Sequence, residues 1–126
     1  MVIEETLLAL AAQDYPADRY EIVLINDGSR DNTLEIAERI AADHPCIRIV
    51  SVPKGKGGKG KSRTLNNGLP HATGELIVVY DADSTPESDC VRLLAQTLLA
   101  DRSLVAVNGK VRTRNWADTL MTRFIA

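Results

Sequence analysis

The sequence predicts a three-layer α/β fold with a mainly parallel sheet, and three observations carry that prediction. Short apolar runs of strand length, such as Ile22 to Ile25 and Leu76 to Tyr80, alternate with stretches whose apolar residues recur at helical spacing. The resulting order reads αβαβαβαβα, and strands separated by helices pair in parallel. Carboxylate-bearing turns stand directly after two of the strands, where sheets of this kind bind their ligands.

Residues 3–12 form the opening helix, with Ile3, Leu7, Leu8, Leu10 and Ala11 on its apolar side, and it stops before Asp14-Tyr15-Pro16. Doubly wound domains normally open on a strand, so this start is unusual. Glu21 to Asn26 is the first strand, closed by the turn Asp27-Gly28-Ser29. Asn32-Thr33-Leu34-Glu35 fits a capping box opening a helix that runs to about Asp43. Leu34, Ala37, Ile40 and Ala41 are its buried stripe. Ile47 to Val52 is the second strand. The Gly/Lys loop 53–61 leads to a short helix over about Ser62 to Ala72, which Gly68 and Pro70 weaken. Leu76 to Tyr80 is the third strand. Thr85-Pro86 resembles an N-cap with proline at the first helical position, and Val91, Leu94, Leu98 and Leu99 make that helix's inner face. Leu104 to Asn108 is the fourth strand, and Trp116 to Ala126 is a terminal segment carrying Leu120, Met121, Phe124 and Ile125.

The 126 residues make one ordinary domain, and 44% apolar with 25% charged residues is globular composition. A net charge of −2 offers no global attraction to nucleic acid. The charge is unevenly placed, however: Lys54, Lys56, Lys59, Lys61 and Arg63 follow one another without an acid among them. Interleaved with glycines beside an expected crevice, they suggest an anion site, although a solvated loop would look the same. Cys46 and Cys90 fit no CxxC pattern and read as buried thiols in a reducing, cytoplasmic setting. His44 and His71 stand alone. No signal peptide is visible, and the longest early apolar run, Leu7 to Ala12, is too short to span a bilayer.

Two patterns carry the chemistry. Asp81-Ala82-Asp83 follows a strand with nothing basic between the carboxylates, a charge that asks for a hard cation, a sugar hydroxyl, or both. Gly55 to Ser62 satisfies the phosphate-binding pattern GxxxxGK[ST]. Such a match is easy in a loop so rich in Gly and Lys, Pro53-Lys54 intrude before it, and it leaves the Asp27 turn unexplained.

Three segments together resemble the nucleotide-binding half of family 2 glycosyltransferases, which have the GT-A fold. Glu21 to Thr33 is similar to that family's strand and DDGSxDxT turn, with Asn26 for the first Asp. Gly60 to Leu69 resembles GKxxALNxG, with Thr64 for Ala. Asp81-Ala82-Asp83 resembles the DxD motif, and Gln13-Asp14-Tyr15-Pro16 matches QxYP. The resemblance implies a UDP-sugar donor, with Asp27 accepting the uracil imide N–H and Gly28 permitting the turn. Lys61 and Arg63 would meet the diphosphate, Asp81 the ribose or nucleotide, and Asp83 a Mn²⁺ or Mg²⁺ ion. Asp31 either orders its turn or touches the ligand, and Asn66 either serves the site or bonds local backbone.

The resemblance also implies missing parts. The family's central first strand would precede residue 2, so sheet edges are expected to lie exposed, inviting self-association. No ED-type catalytic base and no QxxRW segment follows Asn108. The expectation is one partial donor-binding domain over 1–126, inactive alone, from an inverting transferase in polysaccharide or glycan synthesis whose acceptor is unknown. The stretch Gly109 to Asn115 and the tail after it suggest a parent at the cytoplasmic face of a membrane. Trp116, Leu120, Arg123 and Phe124 would lie in the interface or pack on their own domain. A P-loop nucleotide hydrolase and a noncatalytic α/β interaction module are the competing readings.

Overall fold

Ile3, Leu7 and Leu10 stand three and four residues apart, on one face of helix α1 (Val2–Ala11), and that face is buried. The computed structural model of the chain describes residues 2–53, 57–58 and 60–110. In it, α2 (Thr33–Asp43) turns Ala37 and Ile40 toward the same interior. Strands β1 (Ile22–Asn26) and β2 (Ile47–Ser51) pair in parallel, with Ile22 opposite Ile47 and Asn26 opposite Ser51. Ile22 and Ile47 complete the core, with Leu24 and Ile49 packed beside them, and Leu7 at 1% exposure lies deepest. An Arg39–Glu4 ion pair at 2.8 Å joins α2 to α1 across the surface.

Strand side chains alternate between faces, so Ile25 points away from that core. Helix α3 (Lys61–Gly68) covers this second face, and its last residue meets Ile25: a Cβ on Gly68 would overlap the Ile25 side chain. The glycine that weakens the helix is thus what allows it to approach the sheet. A 3-10 turn at Leu69–His71 continues α3. Glu21, just before β1, accepts the Thr73 N–H at 2.5 Å and its hydroxyl at 2.7 Å, and those bonds hold its carboxyl below the ordinary range. Helix α4 (Cys90–Ala100) follows. Helices on both faces of a parallel pair bear out the three-layer α/β prediction.

Several elements differ from expectation. Leu76–Tyr80 and Leu104–Asn108 form no strand; the sheet of the described residues has two strands, β1 and β2. Both segments have strand composition, but a strand exists only with a neighbour to bond, and none of the described residues pairs with either. Ile77 is 53% exposed and Val105 97%. The capping box is not made, because Asn32 gives no side-chain bond; Asp31 Oδ1 instead accepts the Thr33 N–H at 3.1 Å. The last helix starts at Cys90, not at Pro86. Its start is fixed from outside: Gln13 Oε1 accepts the Val91 N–H at 3.0 Å, and Gln13 Nε2 donates to Glu87 O at 2.9 Å. Leu99, expected inside, is exposed. The tail from Trp116 to Ala126, like Lys54, Gly55, Lys56 and Lys59, lies outside the described residues. No described helix is long and apolar enough to cross a membrane.

Candidate functional site

β1 ends at Asn26, whose side chain closes the following turn: Oδ1 accepts the Ser29 N–H at 3.0 Å. Its carbonyl accepts the Val52 N–H at 2.9 Å, so the ends of both strands are tied together. Gly28 has φ 92°, a left-handed conformation that residues with a Cβ resist. Asp27 between them meets the glycine loop. Its Oδ2 accepts the Gly58 N–H at 2.8 Å, and a Cβ on Gly57 would overlap the Asp27 carbonyl oxygen. The Gly58 amide, which a phosphate cradle would offer to an anion, is given to a carboxylate here. A carboxylate has about four acceptor positions, so Asp27 retains capacity for a further donor.

Gly60, at φ 96°, opens α3, and its carbonyl receives the N–H groups of Arg63 and Thr64. The Thr64 hydroxyl bonds the same carbonyl at 3.2 Å, which uses the departure from the family's Ala locally. Lys61, first residue of the helix, reaches across to Asp81: Nζ lies 2.5 Å from Oδ1, and both side chains are exposed. Arg63 is exposed and makes no ion pair among the described residues; nor does the Asn66 side chain make a hydrogen bond there. Asp31 is engaged by the Thr33 hydroxyl and amide, which hold its carboxyl below the usual range and order the turn.

The acidic turn is closed by the Ser84 N–H on the Asp81 carbonyl at 3.0 Å. Before it, the half-buried Tyr80 donates its hydroxyl to Cys90 Sγ at 3.2 Å. Burial, then that bond and the nearby thiol, push the phenol well above its ordinary range, so it stays neutral. Cys46 and Cys90 are both free thiols. Asp83 is exposed and has no hydrogen bond or ion pair among the described residues. The structure therefore joins Lys61 to Asp81 and Asp27 to Gly58, leaves Arg63 and Asp83 facing solvent, and forms no bond between Asp27 and the acidic turn.

Among the described residues no group of three or more His, Cys, Asp or Glu is placed to hold a metal ion. A cation at Asp83 would take most of its ligands from a bound diphosphate and water. Carboxylate and phosphate oxygens suit Mg²⁺ and Mn²⁺, which keep several such ligands of their own. The residues present fit a metal that arrives with, or is completed by, a phosphorylated ligand.

Sequence reasoning gave no structural role to two buried polar side chains, Thr6 of α1 and Gln13 just past its end. Thr6 stands three residues after Ile3 on the apolar stripe, a polar residue where an apolar one is expected, and that was the available signal. Thr6 Oγ1 lies 3.0 Å from the carbonyl of Ala82, between the two aspartates.

The chain is 43% identical to the probable glycosyltransferase YdaM of Bacillus subtilis over 125 residues, 99% of this chain and 30% of that protein. It is 33% identical to the poly-beta-1,6-N-acetyl-D-glucosamine synthase of Staphylococcus aureus, over 94% of this chain and 27% of that protein. The chain thus spans about 30% of the length of the curated relatives it matches. Among solved structures, the mannosyltransferase PcManGT of Pyrobaculum calidifontis, in complex with GDP-Man and Mn2+, superposes with a TM-score of 0.80 at 35% identity. That match covers 93% of this chain and 34% of that one. This agreement confirms the GT-A fold. The family model for glycosyl transferase family 2 matches residues 2–124, and the chain belongs to that family.

Proposed function

We propose that this chain is the donor-binding part of an inverting glycosyltransferase that moves a sugar from a nucleoside-diphosphate sugar to an acceptor hydroxyl in glycan or polysaccharide synthesis. The observation that carries the reading is the meeting of Lys61, at the start of α3, with Asp81, the first carboxylate of the acidic turn after Tyr80.

Asp27 accepts an imide-type N–H from the nucleobase. Uracil offers one and so does guanine, whereas the adenine edge presents an acceptor at the corresponding ring nitrogen. A UDP-sugar is the donor that the family resemblance implies; GDP is the alternative, because the mannosyltransferase neighbour holds GDP-Man. Lys61 leaves Asp81 for the diphosphate, Arg63 adds charge from the exposed face of α3, and Asp81 turns to the ribose. Asp83 is the protein ligand for Mn²⁺ or Mg²⁺, which supplies neutralisation of charge on the leaving diphosphate. In transfer, the acceptor oxygen bonds the anomeric carbon as the bond to the diphosphate breaks, and a base outside the residues assigned here takes the acceptor proton.

The test is calorimetric titration of the full-length protein with UDP, GDP and ATP, with and without Mn²⁺. UDP or GDP is expected to exceed ATP. Asp83→Ala removes the Mn²⁺ enhancement, and Asp27→Ala removes the base preference at a cost of about 10–100-fold, the worth of a hydrogen bond to a charged group. ATP binding that Lys61→Ala abolishes and Asp27→Ala leaves intact would sink the proposal in favour of a P-loop hydrolase.

A further inference from the structure

Among the described residues no strand ladder holds the acidic turn. The residues before it, Leu76 to Tyr80, make no strand, so the sheet does not set where Asp81 and Asp83 stand. What reaches the turn from the core is α1. Thr6 is 3% exposed, and its hydroxyl lies 3.0 Å from Ala82 O and 3.1 Å from Val2 O in its own helix. A hydroxyl has one proton, so the two carbonyls share it. The Ala82 carbonyl belongs to the peptide plane between Ala82 and Asp83. Bonding it restrains that plane, and so narrows the directions in which the Asp83 side chain can leave the backbone. The Ser84 N–H on Asp81 O closes the turn from the other side.

The residues just after that helix hold the far end of the segment. Gln13, 9% exposed, bonds Glu87 O and the Val91 N–H, and the Asp14 N–H bonds Ser88 O at 2.7 Å. The stretch from Ala82 to Val91 is thus held at one end by α1 and at the other by the residues just after it, and the tie next to the carboxylates is Thr6.

We infer that Thr6 is a positioning residue for the metal-binding turn: its buried hydroxyl, through the Ala82 carbonyl, aims Asp83 at the cation. The inference rests on the reading of Asp83 as the metal ligand. Groups that orient a ligand in this way commonly change metal affinity by about 10–100-fold when removed.

Four forms of the full-length protein decide it: wild type, Thr6→Val, Thr6→Ser and Thr6→Ala. Two quantities are read. The first is hydrogen exchange of the Ser84 amide without any ligand. The second is the Mn²⁺ concentration at half-saturation, from the loss of free-Mn²⁺ paramagnetic signal at fixed UDP or GDP, beside nucleotide affinity without metal. Expected are faster Ser84 exchange and about a tenfold higher Mn²⁺ requirement in Thr6→Val and Thr6→Ala. Metal-free nucleotide affinity is unchanged, and Thr6→Ser returns both quantities to wild type. Ser and Ala differ by the hydroxyl alone, so that pair decides the matter even where the Val variant fails to fold. Equal Mn²⁺ requirements in the Ser and Ala variants overturn the inference while the site reading stands. Wild-type protein with no Mn²⁺-dependent nucleotide binding overturns the site reading, and the aiming role with it; Ser84 exchange then reports only whether Thr6 orders the turn.

Discussion

Lys61 makes a residue-scale prediction with two signs. Its partner Asp81 is exposed, and exposed pairs hold by about 0–1 kcal/mol, so an incoming diphosphate displaces the carboxylate readily. Lys61→Ala should therefore weaken nucleoside diphosphate binding about tenfold, the loss of one charge-assisted bond. It should also leave Mn²⁺ binding in the absence of nucleotide unchanged or a few-fold tighter, since the competing ammonium has gone. Separate titrations with nucleotide and with Mn²⁺ check both signs. At this scale the candidate residues themselves came from the sequence. Asp27, Gly28, Lys61, Asp81 and Asp83 carry motif spacing, and the chemistry of each follows from its type. Their mutual bonds were not legible. Nothing in the spacing says that Gly58 would hand its amide to Asp27, or that Lys61 would choose Asp81 while Arg63 stays free of a carboxylate. Those choices depend on the path of two loops in space.

At the scale of elements, α1 and the turn that follows it do two jobs. Leu7 and its neighbours supply core, while Thr6 and Gln13 organise a segment some seventy residues away in sequence. Gln13 acts as the N-terminal cap that α4 does not supply for itself, since Asp89 makes no side-chain cap bond. Gln13→Ala leaves the Val91 N–H without that acceptor and should cost about 1–3 kcal/mol of stability. Gln13→Glu keeps the acceptor for Val91 but sets a buried carboxylate against the Glu87 and Ala9 carbonyls, so it should cost more. Urea unfolding midpoints of the two variants order them. The helices were the elements best read from sequence, because the 3.6-residue repeat of apolar residues is a local property. The segments Leu76–Tyr80 and Leu104–Asn108 were misread as strands for the complementary reason. Their composition is right, but a ladder belongs to a pair of segments, and composition describes only one. The start of α4 was misread because Thr85-Pro86 is a sound local signal that Gln13, a distant residue, overrides.

For the molecule as a whole, the decisive fact is the apolar surface that these unbonded segments leave open. Ile77, Val78, Val79 and Val105 are all exposed, and apolar segments with no strand partner among the described residues invite another chain. The isolated chain should self-associate as its concentration rises. Ile77→Lys together with Val79→Lys should suppress this, because lysine charge repels edge pairing, and sedimentation velocity across a tenfold concentration range measures it. Concentration-independent monomer in the unmodified chain would show the edge to be protected. The parallel β1–β2 pair has a different consequence, in time rather than in space. Its two strands and the intervening α2 lie within residues 22–51, and α1 packs against α2 from just upstream. Contacts between segments close in sequence form first, because less chain entropy is lost in closing them. The scaffold of α1, β1, α2 and β2 can thus consolidate before residues 82–91 arrive, and the acidic turn settles late onto a helix already in place.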